Sequence, residues 1–279
     1  MHASDTVKKT GGSMLKDIPI LIKITHTDPE LLSRLAWFQQ QPGCSWTVIQ
    51  GRGGELPELT ITRRGVFLTS GSKQLSFHPN MAIIRLLNLL RGGFDRYLEA
   101  TQLKEGGSLI DATLGFGTDA LIGAWAVGEK GSVLGIEQSP ILAAFVKDGL
   151  SHFDEIIRKA HNKDKQDTWS ALARASQKIE VRWGEHLEYL KQIPSRSVDV
   201  VYFDPMFRNT CRQSDSIVPL HRWSDHNPLN PEVVLEACRV ARYRVVLKER
   251  KTSPEFRRLG FDILLGGQYS PVDYGVILV

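Results

Sequence analysis

Residues Ser108 to Leu121 read "SLIDATLGFGTDAL". A short apolar run ending in Asp111 reads as a buried strand, Gly115 and Gly117 turn the chain, and an apolar helical spacing follows. Working outward, the same change of period recurs. Strands are expected at 108–112, 132–136, 179–182, 198–203, 243–248, 261–265 and 275–279, with helices at 117–127, 139–150, 186–192 and 231–241. Such alternation implies a mostly parallel sheet covered by helices on both faces. Upstream, "IPILIKI" reads as a strand and Asp28 starts a helix to about Gln41. β-rich runs on either side of "GRGG" complete a small α/β unit over residues 18–79. The helix "NMAIIRLLNLLR", closed by Gly92-Gly93, opens a larger domain over 80–279. Residues 1–17 are expected to form a disordered tail, and the polar stretch around "HNKDKQDTW" a solvated insertion.

The chain has 279 residues, 42% hydrophobic and 24% charged, ordinary values for a soluble enzyme. No apolar run approaches the ~20 residues that span a bilayer. The first residues lack the apolar segment of a secretory signal, so a cytoplasmic location is expected. Three scattered cysteines without a C-x-x-C argue against disulfides and a zinc site, and no metal is expected. The net charge of +4 is mild, but eight Lys/Arg fall between Arg239 and Arg258 against two acids. That run is either a solvated face or an edge that meets a polyanion such as RNA.

The glycine turn has two readings. G-x-G-x-x-A with Glu137 downstream outlines a dinucleotide site, and an NADP-dependent oxidoreductase would use it so. However, Asp111 and Asp119 bracket the turn, and carboxylates repel a pyrophosphate. S-adenosylmethionine carries an ammonium, a sulfonium and one carboxylate, and suits the acids better. Asp111 would attract the ammonium side, while the loop from Thr113 through Gly115 and Gly117 to Asp119 would approach the cofactor. Glu137, with Gln138 after it, would take the ribose hydroxyls, and Gly184-Glu185 would meet the adenine. All lie at the carboxyl ends of successive strands, where open α/β sheets bind ligands.

The fourth strand of this sheet ends in "VVYFDPMF". A residue before proline is held extended, so Asp204 projects into the cleft. This D-P-x-aromatic form resembles the motif of methyltransferases acting on nucleobase amines. An exocyclic amine is a poor nucleophile because its lone pair is delocalised into the ring. Acceptors at Asp204 and the Pro205 carbonyl would localise that pair, and Phe207 would stack on the base.

Four stretches together, "DATLGFGTDA", "IEQSPILAAFVKDGL", "VYFDPMF" and "RVVLK", resemble the RsmJ-like methyltransferases, which modify the guanine N2 amine of small-subunit ribosomal RNA. The resemblance implies a Rossmann-like class I methyltransferase sheet of seven strands, order 3-2-1-4-5-7-6, the last strand antiparallel. It also implies S-adenosylmethionine as cofactor and ribosomal RNA or a ribosomal particle as partner. Residues 1–75 and the loop after Phe207 depart from the family, which suggests a sister branch. The small N-terminal unit is expected to form or cover the substrate side.

Other residues carry two readings each. His78 contacts substrate or caps its turn, Lys248 holds an RNA phosphate or snorkels at an edge, and Trp183 walls the adenine or is core. Arg250 and Lys251 are candidates for RNA contact, and His186 is assigned no chemistry. A small-molecule amine methyltransferase and an inactive RNA-binding module remain alternatives of function.

Overall fold

The computed structural model describes residues 18–51, 56–71, 73–157, 163–205, 228–267 and 270–279. The expected tail, residues 52–55 of the "GRGG" turn region and the loop with Phe207 lie outside these residues. The larger sheet is built from β6 (Ser108–Asp111), β7 (Ser132–Glu137), β8 (Ile179–Trp183), β9 (Val198–Phe203), β10 (Ala241–Arg250), β11 (Ile263–Gly266) and β12 (Val272–Leu278). Its order is β11-β12-β10-β9-β6-β7-β8. Renumbered along this sheet from β6, that is the expected 3-2-1-4-5-7-6. β12 runs antiparallel to both β10 and β11, and the other pairings are parallel.

Helices cover both faces. α3 (Arg96–Thr101), α4 (Thr118–Val127), α5 (Pro140–Ser151) and α7 (Lys163–Ser176) pack on one face, and α8 (His186–Gln192), α9 (Pro231–Val240) and α10 (Pro254–Arg258) on the other. α4 ("TDALIGAWAV") is apolar almost all round because it lies between the sheet and a second helical layer of α7 and α2 (Asn80–Leu90).

The polar stretch expected to be solvated is corrected by α7. Trp169, Leu172 and Ala173 are buried on one side of this helix, and Trp169 meets Phe153 edge-on at 5.9 Å. Charges on its other face hid the apolar stripe. α3 was also not anticipated. Asp95 caps it by accepting from Leu98 N–H at 3.2 Å.

Residues 18–76 form a second sheet, order β2-β1-β3-β4-β5, with α1 (Pro29–Gln39) beside it. β1 (Ile18–Ile24) pairs in parallel with β2 (Cys44–Val48) and β3 (Glu58–Thr62), while β4 (Gly65–Ser70) and β5 (Lys73–Ser76) follow antiparallel. This sheet packs against the outer side of α5, in one continuous core with the larger sheet. Arg34 of α1 donates to both carboxylate oxygens of Asp148 on α5, each at 2.7 Å, with both side chains buried. Phe77 lies so close to Gly149 that a Cβ there would sit 2.2 Å from its ring.

Candidate active site

A cavity of about 610 Å³ opens at the carboxyl ends of β6, β7, β9 and β10. Two features of the chain create it. Gly115 and Gly117 adopt left-handed backbone (φ +51° and +71°), which glycine alone takes up without strain, and they turn β6 sharply into α4. At the end of β9, Asp204 N–H donates to Thr113 Oγ1 at 2.6 Å, so the loop after β6 itself fixes where Asp204 stands.

The structure brings together most of the residues singled out from the sequence. Asp111, Thr113, Gly115, Asp119, Glu137, Gln138, Glu185, Asp204, Pro205 and Lys248 all line this cavity. Gly117 caps α4 just behind it, and Gly184 sits one residue before Glu185, its N–H donating to Glu137 O at 2.9 Å. Phe207 lies outside the described residues.

Other expectations are redirected. Among the described residues none of the small sheet lines the cavity, and that unit packs against α5. His78 is exposed and meets Trp169 edge-on at 6.0 Å, away from the cavity. Trp183 is held in the core contact, where its Nε1 donates to Gln138 O at 3.0 Å and its ring lies against Gly43.

The basic run does not form one edge. Arg239, in the last turn of α9, pairs with Glu236, and Arg242, at the start of β10, pairs with Asp199. Arg244 donates to Gln102 Oε1, while Lys248 faces the cavity. A ten-residue strand carries these cations to opposite ends of the sheet.

Sequence reasoning missed Met81 and Arg85 of α2, Tyr274 of β12 and His186, all of which line the cavity. Arg85 did leave a signal. It is the one charged residue of α2, a helix whose only other polar side chains are Asn80 and Asn88.

The electrostatics follow from burial and pairing. Glu137 accepts from Gly115 N–H at 3.0 Å and from Ser139 N–H at 2.8 Å, yet burial still pushes its carboxyl up to about 7. Burial and the nearby Asp119 charge hold Asp111 well above the usual carboxylate range. Asp119 moves the other way: burial would raise it, but Lys248 and Arg85 outweigh that and hold it far below. Arg85 bridges Asp119 to Asp95, which it meets at 2.8 and 3.0 Å. Lys248 bridges Asp119 at 3.0 Å and Asp204 at 2.7 Å.

The cavity wall therefore carries five carboxyl groups against Arg85 and Lys248. That excess suits a ligand bearing an ammonium and a sulfonium and opposes a pyrophosphate. Gly115 N–H is engaged by Glu137, so this glycine's contribution is space: a Cβ there would meet no protein atom closer than 3.9 Å. The donor set fits S-adenosylmethionine.

Comparison with known proteins agrees. The structure overlays a SAM-dependent methyltransferase of Neisseria gonorrhoeae with a TM-score of 0.61, over 92% of this chain and 95% of that one, at 20% identity. The fold is that of the class I methyltransferases. Residues 91–259 match the model of the putative SAM-dependent methyltransferase family, and the chain belongs to that family. It is an S-adenosylmethionine-dependent methyltransferase, which removes the oxidoreductase reading of the glycine loop. Among its relatives, the uncharacterized protein YpiP of Bacillus subtilis is 39% identical over 196 residues, 70% of this chain and 72% of that protein. Ribosomal RNA small subunit methyltransferase J of Pseudomonas savastanoi is 31% identical over 152 residues, 53% of this chain. The match spans about half the length of that relative (50%). Among the described residues, no helix is long and apolar enough to cross a membrane.

Proposed function

We propose that the enzyme methylates an exocyclic amine of a nucleobase, guanine N2 of small-subunit ribosomal RNA. The observation that carries this reading is the place of Asp204. It stands at the end of β9, anchored by Thr113, and faces the cavity that Asp111 and Glu137 line. Similarity to ribosomal RNA small subunit methyltransferase J supports RNA as the substrate class.

S-adenosylmethionine, when bound, supplies an electrophilic methyl group. Asp111 would hold its ammonium side, Glu137 its ribose hydroxyls, and Gln138 with Glu185 its adenine edge. Asp204 accepts from an N–H of the target amine, which localises the nitrogen lone pair and aims it along the line of attack. Pro205 holds Asp204 extended, so its carboxylate reaches the cavity rather than folding back. Forming the C–N bond would break the methyl–sulfur bond and leave S-adenosylhomocysteine as the neutral leaving group, and the nitrogen then sheds one proton, for which the Asp204 carboxylate is the adjacent base.

The test is mass spectrometry of modified nucleosides from ribosomal RNA with and without the gene, followed by single-turnover transfer. Asp204→Asn keeps the shape but turns a donor toward the amine's own N–H. Transfer should fall ~10²–10³-fold, as for loss of one preorganised electrostatic group, with S-adenosylhomocysteine affinity unchanged. An unaltered nucleoside profile would turn the search to small amines. A variant that transfers as fast as wild type would remove Asp204 from the chemistry.

A further inference from the structure

A line of alternating charge runs under the cavity. Asp95, at the N-cap of α3, grips Arg85 of α2, and Arg85 reaches Asp119 in the first turn of α4. Lys248 of β10 links Asp119 to Asp204 at the end of β9. Tyr202 adds an O–H donated to Asp119 at 2.8 Å. Five elements thus converge on two ammonium contacts. None of the family resemblance, the glycine loop or the D-P-M-F motif says why a lysine should lie there.

We infer that Lys248 is a positioning residue that keeps the Asp204 carboxylate ionised and fixes its orientation as acceptor for the target amine, with Asp119 and Arg85 as the anchored charges behind it. The inference rests on the reading of Asp204 given above. Lys248 meets Asp204 through Oδ2 at 2.7 Å, and the Asp119 carboxylate is a second side-chain hydrogen-bond neighbour of the same group. Its side chain is only 22% exposed and sits between two carboxylates, an arrangement that directs the ammonium inward instead of toward a phosphate.

The groups around Asp204 show why a cation is needed. Asp119 on α4, Asp111 on β6, Glu249 on β10, and the phenols Tyr202 on β9 and Tyr274 on β12 surround it with acids. Burial and the Asp119 charge push the Asp204 carboxyl upward, and Lys248 opposes both. Burial would lower Lys248 itself, but Asp119 and Asp204 outweigh it and hold the ammonium well above its usual range. Arg85 cannot replace it, because its guanidinium is committed to Asp95 and Asp119.

The chemical consequence is specific. An ionised carboxylate can only accept, which leaves the amine lone pair to the methyl group. A protonated carboxyl can donate to that lone pair and so compete with the reaction.

The experiment compares Lys248→Met, Lys248→Arg and the double variant Lys248→Met/Asp204→Asn. The first readout needs no substrate: the infrared carboxyl region of the apo enzyme at neutral pH. Lys248→Met should gain a protonated-carboxyl band that the double variant lacks. The second is the pH profile of single-turnover transfer. Its acid limb should move up by about 1–3 pH units, the usual effect of one close opposite charge. Raising the pH should then restore the rate, and Lys248→Arg should return the limb toward wild type. S-adenosylhomocysteine affinity should not change.

A missing band, or one that persists in the double variant, overturns the inference, as does a rate that falls equally at every pH. If Lys248→Met does not fold, Lys248→Gln gives the same two readouts. Loss of the functional reading is distinguishable. Asp204→Asn would then transfer at the wild-type rate, while the infrared result on Lys248 would stand by itself.

Discussion

Glu137 has a carboxylate whose two oxygens tie the fold together and are the same two oxygens proposed to meet the ribose. Its bonds to Gly115 and Ser139 N–H tie the glycine loop to the start of α5, while burial pushes its pKa up from 4.5 to about 7. Below about pH 4.5 the group is protonated both folded and unfolded, and its contribution to folding is at its best. As pH rises from there through about 7 the unfolded state ionises first and the folded state must then accept a buried charge, and stability falls by roughly 3 kcal/mol. Glu137→Gln should remove that pH-dependent loss, seen by comparing denaturation midpoints near pH 5 and pH 8. Ribose hydroxyls donate to the ionised form, so S-adenosylhomocysteine should bind more tightly as pH rises through about 7. Binding should also release a proton, measurable by calorimetry in two buffers of different ionisation enthalpy. A pH-independent affinity in wild type would take Glu137 out of the ribose site.

A place in the cavity wall was legible where a strand end, a turn and a side-chain charge coincide in sequence. Asp111, Glu137 and Asp204 are of that kind. Arg85 was not, because it lies 34 residues before Asp119 and has no local reason to reach it; the contact exists only once α2 packs on α4. Lys248 was placed near the cleft by its strand position. Its two partners come from α4 and the end of β9, and nothing local to β10 announces them.

Among the elements, β7 shows how packing and ligand binding are coupled. Gly135 lies under Leu114 of the cofactor loop, and a Cβ at that position would come within 2.6 Å of the leucine side chain. Leu114 also lines the cavity. Gly135→Ala should therefore press the loop into cofactor space. The expected result is a loss of about 1–3 kcal/mol of stability from overpacking, together with weaker S-adenosylhomocysteine binding. A thermal scan and a ligand titration of the same variant check both. Weaker stability with intact binding would mean that β7 yields instead of the loop.

Element boundaries themselves were largely readable. β9 runs over 198–203 as expected, and α8 over 186–192. α7 failed because its polar face dominates the local composition, and only its burial against α2, α4 and Phe153 identifies Trp169 and Leu172 as core.

For the whole molecule, the small sheet is joined to the methyltransferase fold through a buried ion pair. Asp148 is almost fully buried and holds Arg34 at both oxygens, with His152 Nδ1 3.3 Å away. Arg34→Met would leave that carboxylate without its bidentate partner. Removing one member of a buried pair costs about 3–5 kcal/mol, and denaturation should show it as a lower midpoint. A change under about 1 kcal/mol, the range of an exposed pair, would mean the two units are held by apolar contact alone.

The scattered cations belong to the same scale. If RNA meets the cavity side, charge reversal at Arg250 and Lys251 should flatten the salt dependence of binding by a slope of about 0.7 per lost contact. Neutralising Arg242, paired with Asp199 at the opposite end of β10, should leave the slope alone. Equal effects from both ends would make the binding non-specific.

The sequence by itself determined the order of strands and helices, the glycine turn after β6, and the acids at strand ends. Each depends on residues within a few positions of one another, through hydrophobic period, backbone freedom or the stiffness before a proline. Only the tertiary structure decided that the clustered cations separate, Arg239 into α9, Arg242 and Arg250 to opposite ends of β10, and Arg257 and Arg258 into α10. It alone placed the small sheet behind α5 and set Lys248 between Asp119 and Asp204. Those outcomes come from packing and pairing across 44 to 129 positions of chain, where local propensity carries no information about which charges will meet.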